Sequence, residues 1–143
     1  MFPKKSRKSG RGVAHTLDRV FSEFIRLRDV QHYGLGGGVV RCVTCARVFP
    51  WREMDCGHFM HRHHQATRWT EINCHAQCKF CNRFDGGRAF EHGQAINEQQ
   101  GKGTAERLVI LAQTTSKLTP EWFENRMAYY RGEVKRLKKE MGL

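Results

Sequence analysis

Two cysteine pairs constrain this chain more than any other feature: Cys42-x2-Cys45 and, beyond residues 46–77, Cys78-x2-Cys81. A pair at this spacing makes a knuckle. Two knuckles supply four soft, anionic thiolates, which suit one tetrahedral Zn²⁺ in a closed structural site. With sulfur in every position such a zinc has no vacancy for water, so its work is to tie chain segments together. The insertion between the pairs is long enough to need structure of its own. It contains Asp55-Cys56-Gly57-His58, and Asn82 follows the last cysteine directly.

Composition narrows the class. At 143 residues the chain suffices for one domain with one modest core. Lys and Arg total 25 against 14 Asp and Glu, a net charge of +11 that points to an anionic partner, most simply nucleic acid. Hydrophobic residues make up 39%, and no window approaches the run of about 18 apolar residues that a membrane span needs, so no membrane association is expected. The N-terminus is basic without an apolar stretch, unlike a secretory leader. An intracellular setting is the expectation, and it favours metal over disulfides as the fate of the six cysteines.

Along the chain, residues 1–15 read as a flexible basic arm whose Lys4, Lys5, Arg7, Lys8 and Arg11 would lie along phosphates. The remainder, 16–143, reads as a single zinc-stabilised domain. From Thr16, the expected N-cap, to about Tyr33 the spacing of Leu17, Val20, Phe21, Phe24 and Leu27 predicts a helix with one apolar face. Arg19, Arg26 and Arg28 occupy the other face. Gly34 and Gly36–Gly38 end it in a flexible joint. A core of about 39–100 follows: a hairpin of Val39–Arg41 and Arg47–Phe49 around the first knuckle, strand and loop from Trp51 to Phe59, a polar loop His61–Thr67, the approach Glu71–Gln77 to the second knuckle, and a helix over Arg88–Gln100. Two C-terminal helices are expected over about 104–140. The first is capped by Thr104 and carries Leu108, Ile110 and Leu111. The second starts at Thr119-Pro120. Its seam of Phe123, Met127, Tyr130, Val134, Leu137 and Met141 should pack on the first helix, the alternative being a dimer contact. Lys135, Lys138 and Lys139 beside it form a second basic surface.

The residues around the knuckles suggest chemistry. Hydrolysis of a phosphodiester requires that a water lose a proton, that developing negative charge be neutralised and that the leaving oxygen be stabilised. Mg²⁺ serves the last two needs and binds oxygen donors, so one carboxylate and one amide oxygen anchor it; Asp55 and Asn82 are such a pair. His58 is the candidate general base. In a regular strand Asp55 and His58 would point to opposite faces, so the backbone must turn or bulge between them, which Gly57 allows. Arg62 and Arg68 are candidates for holding the scissile phosphate. His61, His63, His64 and His75 are secondary. Cys56 and Cys74 read as buried thiols, with a second metal on Cys56, His58, Cys74 and His75 as the alternative.

These residues resemble the ββα-metal, or HNH/His-Me finger, nucleases. The arrangement of two Cys-x2-Cys pairs around Asp-x-x-His, with a trailing Asn, is similar to that of endonuclease VII, a phage junction resolvase. A closer resemblance, to the phage NinG/Rap recombination nucleases, rests on residues 17–29 (LDRVFSEFIRLRD), 55–59 (DCGHF) and 73–83 (NCHAQCKFCNR). It implies an α+β fold: a ββα-metal core on a four-cysteine zinc site, flanked by N- and C-terminal helices. It also implies a structure-selective endonuclease cutting branched DNA such as Holliday junctions and D-loops during recombination, in the cytoplasm of a bacterial host. Structural Zn²⁺ would sit on Cys42, Cys45, Cys78 and Cys81, and catalytic Mg²⁺, or Mn²⁺ in its place, on Asp55 and Asn82, with His58 as base. The segment between Asp55 and Cys78 is longer than in endonuclease VII, which keeps the other histidines open as base or ligand. Symmetric cutting of a junction would need a homodimer. Two rivals stand beside this reading: a nuclease of the same fold without branch preference, and a zinc-finger DNA-binding protein without catalysis.

Overall fold

The apolar stripe of the first helix is the foundation of the fold. The computed structural model describes residues 10–143, and in it helix α1 runs Gly10–Tyr33. It starts six residues before the expected cap: Thr16 lies inside the helix, where its hydroxyl donates to the Gly12 carbonyl at 2.8 Å. A side-chain bond back to the carbonyl four residues earlier competes with capping, so threonine alone is a poor boundary marker. Residues 10–15, Arg11 among them, are therefore helix rather than arm. Lys4, Lys5, Arg7 and Lys8 lie outside the described residues.

Two antiparallel strand pairs follow. Strand β1 (Val39–Arg41) pairs with β2 (Val48–Pro50), and β3 (Asp55–His58) pairs with β4 (Cys74–Gln77). The glycines that end α1 make a tight turn, with φ of +91, +61 and +75° at Gly36, Gly37 and Gly38, values that residues bearing a Cβ adopt at a cost. After β4 a single π turn, Phe80–Phe84, carries Cys81, Asn82 and Arg83. Helix α2 spans Ala89–Gln100 and α3 spans Thr104–Ala112. Gly103, not Thr104, is the cap of α3; the Thr104 hydroxyl donates to Gly101. Of the three apolar residues that α3 carries, Leu108 is buried and Ile110 and Leu111 are exposed. Helix α4, Pro120–Met141, opens as the sequence predicts, with Thr119 accepting from the Trp122 amide. The architecture is mixed helix and small two-stranded sheets. Among the described residues, no helix is long and apolar enough to cross a membrane.

The α4 seam packs on α1, most closely through Tyr130, Val134 and Leu137. Tyr130 is 1% exposed, with its ring centroid 5.1 Å from that of Phe21 and 4.8 Å from that of Phe24. Val134 and Leu137 join the same core with Leu17, Ile25 and Leu27. A smaller core of Ile96, Ala105 and Leu108 joins α2 to α3, with Phe59, Met60 and Ile72 packed against it.

A polar clamp fixes α1 to β4. Arg28, placed by its spacing on the solvent face, instead turns inward. It donates to Asp29, to the Glu71 carbonyl at 2.9 Å and to the Cys74 carbonyl at 2.7 Å. Asp29, 3% exposed, accepts from the Ala76 amide at 2.6 Å. A guanidinium with several donors can satisfy the Cys74 carbonyl of β4 and the Glu71 carbonyl just before that strand together, and the adjacent carboxylate balances its buried charge.

Truncation at the α1–α4 contact tests this core. Tyr130→Ala is expected to lower stability by about 3–5 kcal/mol, and Lys135→Ala, on the exposed side of the same helix, by no more than about 0.5 kcal/mol. Denaturant midpoints of the two variants check it; equal midpoints would contradict the packing.

Candidate functional site

The knuckles converge. Cys42 and Cys45, at the turn of the β1–β2 hairpin, meet Cys78 and Cys81, which follow β4, and the four sulfurs lie within 4.8 Å of one another. Cys45 and Cys78 Sγ are 3.8 Å apart. A tetrahedron with Zn–S bonds of about 2.3 Å has edges of roughly 3.8 Å, so the cluster fits a zinc ion. Its electrostatics ask for a cation. Burial would raise the Cys42 thiol, but hydrogen bonds from the Cys78 amide at 3.3 Å and from Thr44 bring it down to about 6. Burial and the neighbouring Cys81 and Cys42 sulfurs push Cys78 up to about 12. Sulfurs this crowded ionise together only around a positive ion, and Arg47, 3.4 Å from Cys45 Sγ, supplies only part of that charge.

Because Asn82 is the residue after Cys81, the cluster carries it to the start of β3. Asn82 Nδ2 donates to Asp55 Oδ2 at 3.0 Å, and Arg83 grips both carboxylate oxygens at 2.7 and 2.9 Å. Burial would raise Asp55, but the bonds from Arg83 and Asn82 outweigh it and hold the carboxyl below its ordinary 3.8. Asp55 is thus an anion with two polar partners at the mouth of a groove.

His58, at the other end of β3, faces the same groove, whose volume is about 610 Å³. No bulge achieves this: β3 and β4 pair residue for residue from Asp55↔Gln77 to His58↔Cys74. The groove follows the free edge of β3, since α1, the 61–62 loop and the π turn line it and, among the described residues, β4 does not. Side chains from both faces of a two-stranded sheet reach such an edge. Gly57 has a different reason from a bulge. A Cβ there would sit 2.3 Å from Gln77 Oε1, so glycine is what lets the buried Gln77 cross β3 to reach Gly87 and Thr44.

His58 is held in one orientation. Its Nε2 lies 2.9 Å from the Arg68 carbonyl, which can only accept, so Nε2 carries the proton and Nδ1 keeps the lone pair. Burial lowers its pKa from 6.5, only partly opposed by the Arg68 and Cys56 carbonyls, so the ring is neutral at pH 7.

Asn73 has no mark in the sequence, yet the loop depends on it. It is 0% exposed, accepts from the Met60 amide at 2.8 Å and donates to the Met60 and Thr67 carbonyls at 3.0 and 3.1 Å. It therefore closes residues 60–73 into the loop that presents the Arg68 carbonyl to His58. A lone Asn before a cysteine carries no pattern that would reveal this role.

The remaining candidates divide. Arg62 is exposed at the groove and only 3.5 Å from Asp18, whereas Arg68 is fixed by two hydrogen bonds to Asp18 and lies over Trp69. Arg26, Arg52, Lys79 and Arg83 also line the groove, where the sequence gives no reason to expect them. His61 lines it, while His63 lines a neighbouring hollow, its ring nearly parallel to that of His61 and tilted against that of His64. His75 leaves both metal clusters: its Nδ1 is 3.0 Å from His92 Nε2, and burial pushes both rings down to about 3. Cys56 and Cys74 are not isolated thiols; they form a second close group with His58. On α4, Lys135 and Lys139 are exposed, but Lys138 pairs with Glu23 of α1.

Residues 3–140 match the family model described as the bacteriophage lambda NinG protein. The chain belongs to the NinG family. That match takes in both knuckles, the groove, α1, α2 and α3, and α4 as far as Glu140. No curated protein and no solved structure matches the chain.

The four-cysteine cluster predicts a dependence on metal. Purified protein should carry one tightly held zinc there, and stripping it with a chelator should lower the melting temperature and separate Asn82 from Asp55. Metal analysis with thermal melts checks this; a metal-free protein melting at the same temperature would contradict it.

Proposed function

We propose that this NinG-family chain is a Mg²⁺-dependent DNA endonuclease of the ββα-metal type that cuts branched DNA, such as Holliday junctions and D-loops, in phage recombination. The observation that carries the reading is the meeting of Asp55, Asn82 and an oriented, neutral His58 in one cation-lined groove. Asp55 and the Asn82 amide are hard oxygen donors of the kind Mg²⁺ or Mn²⁺ takes. When bound, such an ion would neutralise the charge that develops on the phosphate and leaving oxygen. His58 takes a proton from the attacking water at Nδ1 while the Arg68 carbonyl holds the other ring nitrogen. Arg62, exposed at the groove, is the better placed of the two arginines to hold a phosphate. Arg68 acts through its carbonyl. Arg83, 57% exposed, is paired with Asp55 and would have to leave it to reach the DNA backbone.

The exposed cations of the groove and of α4, together with the basic N-terminal residues, would bind backbone rather than base edges. Affinity should then follow DNA shape and salt more than sequence. Paired cuts across a junction require two sites, so the active form is a homodimer.

Cleavage of a labelled four-way junction beside the matching linear duplex tests the reading. Junction-selective, Mg²⁺-dependent cutting is expected, falling about 10²–10⁴-fold in His58→Ala while junction binding persists. Equal cutting of both substrates would discard branch selectivity, and binding without cutting would leave a zinc-stabilised DNA-binding protein. The pH profile carries its own sign. A base whose pKa is lowered holds fewer protons at a given pH, so the acid limb of kcat/KM should fall below pH 6.5. A limb at or above that value would remove His58 as the base.

A further inference from the structure

Cys56, His58 and Cys74 form a cluster that the structural zinc and the Asp55–Asn82 pair do not use. On the paired strands, Cys56 and His58 share one face, and Cys74 lies directly across from His58. Two sulfurs and one ring nitrogen come within 4.8 Å of one another. Cys74 is fully buried, whereas Cys56 and His58 open to the groove.

We propose that this cluster is a second, soft-metal site that takes Zn²⁺ on Cys56 Sγ, Cys74 Sγ and His58 Nδ1, with its fourth position open to the groove. Two thiolates and a neutral imidazole balance a divalent charge, which makes a half-buried site tolerable; the two thiol protons leave to solvent on binding. The donor set is soft and selects zinc over magnesium. The groups that would hold the ligands in place are present as well. A metal-ligating histidine usually gives its other N–H to a carbonyl, and His58 Nε2 is 2.9 Å from that of Arg68. Asn73 Nδ2 lies 3.9 Å from Cys74 Sγ, and Arg28 holds the Cys74 carbonyl at 2.7 Å, setting positive charge beside the sulfur.

Zinc at this position uses the lone pair that a general base needs. Filling the second site therefore switches the groove off, and free zinc becomes an inhibitor. This consequence rests on the nuclease reading; the site itself does not.

Metal stoichiometry separates the two. The full chain, dialysed against buffered micromolar Zn²⁺, is expected to hold two zinc ions, and Cys56→Ser, which changes a half-exposed side chain, one. Thermal melting confirms that the variant is folded. Co²⁺ titration of the wild type should add a second set of thiolate-to-metal absorption bands after the four-cysteine set is complete. One zinc in both proteins and a single set of bands would overturn the site. For the switch, zinc added beyond the first equivalent should suppress wild-type junction cutting at least about tenfold relative to its zinc-limited rate, and Cys56→Ser should lose that sensitivity. Equal suppression in both would overturn the switch and indicate zinc acting elsewhere, such as at Asp55 and Asn82. A wild type that binds two zinc ions yet cuts nothing with one would count against the nuclease reading and leave the site standing.

Discussion

Four cysteine sulfurs within 4.8 Å of one another need a cation, and the geometry of the groove follows from meeting that need. The cluster joins the β1–β2 hairpin to the end of β4 and to the π turn. Since Asn82 and Arg83 follow Cys81, fixing Cys81 fixes their distance from Asp55. A π turn is an uncommon local geometry that is found often at functional sites. Here it carries Cys81 into the cluster and Asn82 and Arg83 to the opposite side, toward β3. A metal held by the four cysteines would thus position residues it never touches.

The rest of the fold braces β3 and β4, a pair of four-residue strands too short to stand alone. Helix α1 backs them through Arg28 and Asp29, and α4 backs α1 through Tyr130 and Leu137. From the other side, α2 sets His92 against His75. The loop of residues 60–73, closed by Asn73, orients His58. The α1 brace is polar where it meets the β4 backbone, as unpaired backbone groups require, and largely apolar where it meets α4.

The parts legible in the sequence are those with a periodic or spaced pattern. The knuckles, the α1 and α4 stripes, the Thr119-Pro120 start and the β1–β2 hairpin all depend on local spacing, which a single sequence displays. What is not legible depends on partners distant in the chain. Arg28 sits at a surface position of the helical pattern and is buried because the carbonyls of Glu71 and Cys74 are offered to it. Gly57 has the look of a hinge and is instead a gap that Gln77 fills. Arg68 has the chemistry of a phosphate ligand and is instead tied to Asp18, with its carbonyl on His58. Thr16 has the chemistry of a cap, but α1 continues through it to Gly10 because nothing in residues 10–15 breaks a helix except glycine. Even the alternation rule for Asp55 and His58 holds; what the strand pattern does not reveal is that the groove follows an edge and accepts both faces.

The proposed reaction requires Asp55 and Asn82 to hold a hard metal ion beside His58. Anomalous scattering from crystals of the zinc-loaded protein soaked in Mn²⁺ tests it most directly. A manganese peak is expected between the Asp55 carboxylate and the Asn82 amide oxygen, with Arg83 displaced from Asp55. Manganese absent from that position, with Arg83 still bonded to both carboxylate oxygens, would contradict it.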